Sequence, residues 1–238
     1  MGPFIGEFIG TMLLIILGDG VVANVILNKT KGNGGGLIAI TFAWGMAVFT
    51  GVFAAAKLGS DGHLNPAVTI AMVYLGNLES SLMLTYIAAQ MLGAFVGAVI
   101  VWLSYRQHFD ATDDADTKLG VFCTSPAIRG PIWNVITEVV GTFVLILGAL
   151  LMVKPDMKLG TLDALPVALL VIGIGLSLGG PTGYAINPAR DLAPRIAHFI
   201  LPIRGKRDSN WGYAWVPVLG PIIGAMIAAV VFGMIVPA

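Results

Sequence analysis

Six stretches of the 238-residue chain stay apolar for long enough to cross a lipid bilayer: 4–27, 37–56, 82–105, 132–153, 164–181 and 216–236. A hydrocarbon core of about 30 Å takes about 20 helical residues to cross. Lipid offers the backbone no hydrogen-bond partner, so such segments must form helices or a closed barrel. A barrel needs short strands that alternate apolar and polar residues, and these runs are continuous. The expected fold is therefore all-α and integral to the membrane, with six transmembrane helices. Charge agrees with this, because Asp, Glu, Lys and Arg make up 11% of the chain, against about 25% in soluble domains. Lys and Arg number 13, as do Asp and Glu, which leaves no net field for a polyanion and excludes nucleic acid as a partner. The lone Cys123 cannot close a disulfide within the chain, and no metal-ligand spacing occurs, so neither a metal nor a cofactor is expected. The run from Phe4 is too long for a signal-peptide core and lacks a basic leader, which reads as a true span.

Three motifs recur in the same order. Glu7-Phe8-Ile9-Gly10-Thr11 matches Glu138-Val139-Val140-Gly141-Thr142, and Gly93 to Ala98 matches Gly220 to Ala225. Between them, Leu64-Asn65-Pro66-Ala67 matches Ile186-Asn187-Pro188-Ala189. Each half thus holds three spans and one Asn-Pro-Ala element. Three is odd, so the second half must enter the membrane upside down relative to the first. The expectation is one channel domain over 1–238, with inverted repeats at about 4–107 and 132–238 joined by an outer loop, 108–131. Inverted repeats place a functional site near the midplane, where the halves meet.

Asn is a favoured N-cap and Pro a favoured first helical residue, so each Asn-Pro-Ala starts a helix. The helices that follow, to about Leu75 and Ile200, are too short to span. They read as half-helices dipping in from opposite faces. Two N-termini meeting at the midplane carry about half a positive charge each and repel cations and protons. The Gly-rich stretches ahead of each Asn cannot hydrogen-bond as helices, and at membrane depth such backbone is tolerated where it lines a watery cavity. Carbonyls on one side and Asn amides at the centre then make a polar track in an apolar tube.

These paired elements, over essentially the whole chain, resemble those of the major intrinsic protein family, the aquaporins and aquaglyceroporins. Within that family the chain resembles the bacterial glycerol facilitators. Asp191 directly follows Asn187-Pro188-Ala189-Arg190, Arg195 stands four positions on, Pro217-Val218 opens the last span, and Tyr105 ends the third. The resemblance implies a constriction formed by Trp44, Gly175, Tyr184 and Arg190. Gly175, where water-selective members carry His, would leave room for a carbon backbone, while Arg190 would offer donors to hydroxyls. Asn65 and Asn187 would donate to the passing solute oxygen. The carbonyls of Asp61, Gly62 and His63, and of Gly183, Tyr184 and Ala185, would form the acceptor ladder. Glu7 and Glu138 would be a buried pair accepting hydrogen bonds from the re-entrant loops. Read without the resemblance, Trp44 and Tyr184 also suit an interfacial aromatic belt, and His108 and His198 read as loop or rim residues. Asp61 departs from a usual Gly and Tyr184 from a usual Phe, which leaves the preferred solute open.

The function implied is a passive channel for glycerol, other small uncharged solutes and water that excludes protons and ions. Dihydroxyacetone, urea, hydrogen peroxide and protonated lactic acid stay open as solutes. A water-selective channel is the first rival, opposed by Gly175 and Asp191. The second is a proton-coupled secondary transporter using Glu7, Glu138 or Asp19. No Ser-His-Asp arrangement or phosphate-cradling loop occurs, so no enzymatic activity is expected. The resemblance implies a homotetramer in a bacterial cell membrane with both termini cytoplasmic. Charge alone points the other way, because Lys57, Lys154 and Lys158 are the only basic residues on the terminal side; the expectation follows the resemblance.

Overall fold

The computed structural model describes residues 2–152 and 160–236, so Lys154 and Lys158 lie outside the described residues. In chain order the helices are α1 Pro3–Ile26, α2 Gly36–Lys57, α3 Pro66–Tyr74, α4 Met83–Ser104, α5 Arg106–Asp110, α6 Ala115–Gly120, α7 Pro131–Leu151, α8 Leu165–Leu178, α9 Pro188–Ile200 and α10 Val216–Ile235. No strand occurs among the described residues. Six helices are long and apolar enough to cross a membrane, α4 and α8 each being extended by a leading 3-10 turn, Ser80–Leu82 and Gly160–Ala164. The expected bundle is the observed one, and α3 and α9 are the short helices that follow the two Asn-Pro-Ala elements.

Local chemistry sets the boundaries. Proline stands in the first turn of α1, α3, α7, α8, α9 and α10, where a missing N–H costs nothing. The fifth span ends at Leu178 instead of the expected 181. Pro181 cannot donate to a helix ladder, and its carbonyl accepts from Ala127 N–H at 2.9 Å instead. The chain then turns through Gly183 at φ +79°, a conformation open to glycine.

Packing is inside-out relative to a soluble protein. Large apolar side chains such as Ile38, Leu84, Ile132 and Trp133 point outward, whereas Glu7, Asp19, Gln90, Glu138, Asp191 and Arg195 are fully buried or nearly so. Small residues bring the helices together. A Cβ on Gly97 would stand 2.7 Å from the Met12 carbonyl of α1, and one on Gly220 would stand 2.6 Å from Glu138 Cβ of α7. Gly93 and Gly224 likewise face the Phe8 and Val139 carbonyls directly. The small-xxx-small stripes of α4 and α10 therefore seat α1 and α7 at backbone contact. Gly97→Val is expected to destabilise the bundle by about 2–3 kcal/mol, because the clash is with backbone that cannot rotate away. A thermal-aggregation series in detergent checks this through a lowered midpoint.

The two short helices interlock the chain: α3 packs chiefly on α10, and α9 chiefly on α4. Their N-termini meet inside the bundle, which is where the functional geometry is built.

Candidate functional site: the two helix starts and the cavity

Asn65 and Asn187 cap α3 and α9 from extended backbone. Asn65 Oδ1 accepts from Ala67 N–H at 2.9 Å, and Asn187 Oδ1 accepts from Ala189 N–H at 3.0 Å and Arg190 N–H at 3.2 Å. Each amide also reaches across: Asn65 Nδ2 donates to the Ile186 carbonyl and Asn187 Nδ2 to the Leu64 carbonyl, both at 2.8 Å. The two helix starts are thereby tied reciprocally. An amide nitrogen carries two protons, and both Asn residues line the central cavity, so one N–H of each remains for a guest.

The carbonyls offered for these bonds demand unusual backbone. Leu64 has φ +52°, Ile186 φ +43° and Tyr184 φ +37°, values rare for non-glycine residues and costing about 1–3 kcal/mol each. Two buried carboxylates hold the strain in place. Glu7 Oε1 accepts from Ser60 Oγ at 2.5 Å and His63 N–H at 2.9 Å, while its Oε2 accepts from Leu64 N–H and Gln90 Nε2, both at 2.7 Å. Glu138 Oε1 accepts from Thr182 Oγ1 at 2.7 Å and Ala185 N–H at 3.0 Å, and its Oε2 from Ile186 N–H at 2.8 Å. With the N–H groups turned to the carboxylates, peptide planarity turns the paired carbonyls the other way.

A cavity of about 820 Å³ runs past these groups, lined by Asp61, Gly62, His63, Asn65, Asn77, Tyr184, Ala185, Asn187, Arg190 and Trp44 and otherwise by apolar side chains. Asp61 is exposed at one mouth, where its Oδ2 accepts from Tyr86 Oη at 3.0 Å. Gly183 and Gly175 do not line the cavity. A Cβ on Gly175 would stand 2.8 Å from Tyr184 Cζ and 2.5 Å from Thr41 Cγ2. The space expected for a solute backbone at Gly175 is therefore filled by the Tyr184 ring, whose hydroxyl donates to Thr41 Oγ1 at 3.3 Å.

At the other end, Trp44, Tyr184 and Arg190 come together, each under 9% exposed. The Arg190 guanidinium lies 4.1 Å from the Trp44 ring centroid, a stacked cation–π geometry. Trp44 and Tyr184 are thus interior residues, and the aromatic-belt alternative fails for both. Arg190 Nη1 also meets the buried Asp19 Oδ1 at 3.4 Å.

Behind these three residues, Asp191 and Arg195 form a fully buried pair: Arg195 Nη2 donates to Asp191 Oδ1 at 2.7 Å and Nε to the same oxygen at 2.9 Å. Asp191 Oδ2 accepts from Thr124 N–H at 2.7 Å, and Arg195 Nη1 donates to the Ser209 carbonyl at 2.8 Å. The pair knits α9 to the loops on both sides of it. Lys206 Nζ, in the following loop, donates to the His198, Phe199 and Leu201 carbonyls and so closes the C-terminus of α9. Tyr105, Pro217 and Val218 do not line the cavity: Tyr105 caps the end of α4, and Pro217 and Val218 sit in the first turn of α10. His198 is a correction, because it is fully buried, with its ring 5.6 Å from that of Phe122 and Nδ1 2.8 Å from Ser209 Oγ. It sits on the face of α9 that Phe122, just after α6, and Ser209, in the loop after α9, cover. His108 stays peripheral, with Nδ1 3.1 Å from the Asn28 carbonyl.

Sequence reasoning missed Thr41, Gln90, Thr124 and the partnership of Asp19. Only Asp19 carried a signal: a carboxylate in an otherwise apolar span is costly unless a partner faces it.

The model of the family described as major intrinsic protein matches residues 1–232. A protein of Thermotoga maritima described as a probable glycerol uptake facilitator is 55% identical over 229 residues, covering 96% of this chain and 97% of the relative. Glycerol uptake facilitator protein 3 of Lactiplantibacillus plantarum is 51% identical over 231 residues, covering 97% and 95%. Among solved structures, the aquaglyceroporin from Plasmodium falciparum superposes with a TM-score of 0.86 at 32% identity, covering 98% of this chain and 96% of that one.

Proposed function

The chain belongs to the major intrinsic protein family, and from that premise we propose that it is a passive multi-pass membrane channel for glycerol and other small uncharged solutes. It is a channel and not an enzyme. The observation that carries the reading is one cavity with two kinds of wall. One part of it joins the apolar ring faces of Trp44 and Tyr184 to the Arg190 guanidinium, and another carries both Asn amides. A polyol with CH groups on one edge and hydroxyls on the other satisfies both walls at once, whereas an ion finds no replacement for its hydration shell.

In this reading Asn65 and Asn187 donate to a solute oxygen, and the carbonyls of Asp61, Gly62, His63, Tyr184 and Ala185 accept hydrogen bonds from its hydroxyls in sequence. Gly183 supplies the left-handed turn of its loop, and Gly175 admits the Tyr184 ring that forms one wall. Pro66, Ala67, Pro188 and Ala189 start the two half-helices, whose dipoles oppose cations and protons at the meeting point. Glu7 and Glu138 are loop anchors. Each accepts at least three hydrogen bonds from groups within its own neighbourhood, an arrangement that supports a fixed role over a shuttling one. We assign two inverted repeats to the chain, both termini to the cytoplasm, and a homotetrameric assembly through the outward apolar faces. The matched motifs and the paired packing of α3 with α10 and α9 with α4 support the repeat.

Proteoliposomes loaded with labelled glycerol test the class. Glycerol should equilibrate without accumulating and ignore an uncoupler; uphill accumulation abolished by the uncoupler would mean a proton-coupled transporter. Within the channel reading, Trp44→Ala should remove the apolar wall and the stacking face of Arg190. Entry of five- and six-carbon polyols, measured by light scattering, should rise about tenfold relative to glycerol.

A further inference from the structure

Asp19 is a carboxylate placed where an apolar helix has no evident need of one. It is fully buried in α1 and does not line the cavity, whereas its partner Arg190 does. Its Oδ1 lies 3.4 Å from Arg190 Nη1, and its Oδ2 has no hydrogen-bond partner among the described residues. The preceding residue, Gly18, lies directly against the six-membered ring of Trp44, where any Cβ would collide. One turn of α1 thus provides both supports of the guanidinium: the space that seats the Trp44 ring beneath it, and the carboxylate at its edge. The neighbouring charges Asp191 and Arg195 are already spent on each other.

A bare guanidinium at a constriction is a binding site for anions, because its donor fork matches planar oxyanions. We propose that Asp19 is a positioning residue that acts as the internal counter-ion of Arg190. It makes the constriction formally neutral and so denies small oxyanions a site, while the remaining guanidinium N–H groups stay available to solute hydroxyls. The proposal rests on the glycerol-channel reading above. It differs from a merely structural role for Asp19, which would lower all fluxes together and leave their ratio and their anion sensitivity unchanged.

The test uses the full chain in proteoliposomes as wild type, Asp19→Asn, Asp19→Ser and Asp19→Glu, with glycerol re-swelling measured in sodium nitrate and in an osmotically matched gluconate control. Nitrate is a planar anion of a strong acid, so no neutral form crosses the lipid. Wild type and Asp19→Glu should be insensitive to nitrate. Either neutral variant should lose about threefold or more of its glycerol flux in nitrate, as the anion occupies the unpaired Arg190. Neutral variants that carry glycerol but ignore nitrate would overturn the proposal, and so would nitrate inhibition of the wild type or an equal loss of flux in both salts. Wild-type vesicles with no glycerol flux at all would instead count against the channel reading, which keeps the two failures distinct.

Discussion

Replacing Arg190 by alanine is expected to raise proton and small-cation leak by at least about tenfold while glycerol flux stays within about threefold of wild type. Among the described residues, the guanidinium is the one Lys or Arg charge lining the cavity, and its loss does more than open space. Asp19 Oδ1 would lose its 3.4 Å partner, leaving a buried carboxylate with neither oxygen paired beside a widened constriction. At an effective dielectric of about 20, two unit charges about 4 Å apart interact by about 4 kcal/mol, so loss of the guanidinium turns a formally neutral pair into a net negative site that attracts cations. The half-helix dipoles at Asn65 and Asn187 remain, which is why the leak should stay far below that of an open pore. Vesicles loaded with a pH-sensitive dye and challenged with a potassium gradient plus valinomycin read the leak directly. A variant with wild-type tightness would place the cation barrier wholly at the helix starts.

Glu138→Gln is expected to be strongly damaging although it exchanges one atom for another. Glu138 accepts from Thr182 Oγ1, Ala185 N–H and Ile186 N–H, and all three donors are buried. A glutamine would point an NH₂ at one of these donors, leaving at least one backbone N–H unsatisfied and replacing charge-assisted bonds by neutral ones. The expected cost is about 3–5 kcal/mol, the range for breaking a buried charged network from one side. The strained Tyr184 and Ile186 backbone would then relax, and the carbonyl to which Asn65 donates would move with it. Glycerol flux per folded protein should fall about tenfold or more. Thr182→Val, which removes one of the three bonds, should cost only about 1 kcal/mol and leave most of the flux. Melting midpoints and re-swelling rates on the pair of variants check the ordering, and equal effects would show that Glu138 does not act as the anchor.

The contrast between these residues also marks what a sequence reading can reach. The six spans and the two half-helix starts follow from apolar run length and from the local preference of Asn-Pro for a helix N-terminus, and they lie within three residues of the observed boundaries. The one three-residue error, at Leu178, arose because composition keeps an apolar run going where Pro181 ends its ladder. Side-chain partnerships across the chain were another matter. Asp19 and Arg190 are 171 positions apart and belong to no shared period or motif. His198 looked peripheral because the residues that cover it, Phe122 and Ser209, come from two separate loops. Gly175 was read as room for solute, and only the three-dimensional arrangement shows that Tyr184 takes that room. Local preference is written in neighbours along the chain; the composition of a constriction is written in neighbours across it.

A glycerol-conducting pore has a distinct signature in stopped-flow light scattering on proteoliposomes of the wild-type protein. Vesicles challenged with a glycerol gradient should shrink and then re-swell much faster than empty liposomes, and a sucrose challenge should shrink them without re-swelling. Fast shrinkage in both solutions with no re-swelling in glycerol would contradict the claim, because it would mean that the Tyr184 ring seated against Gly175 closes the cavity to everything larger than water.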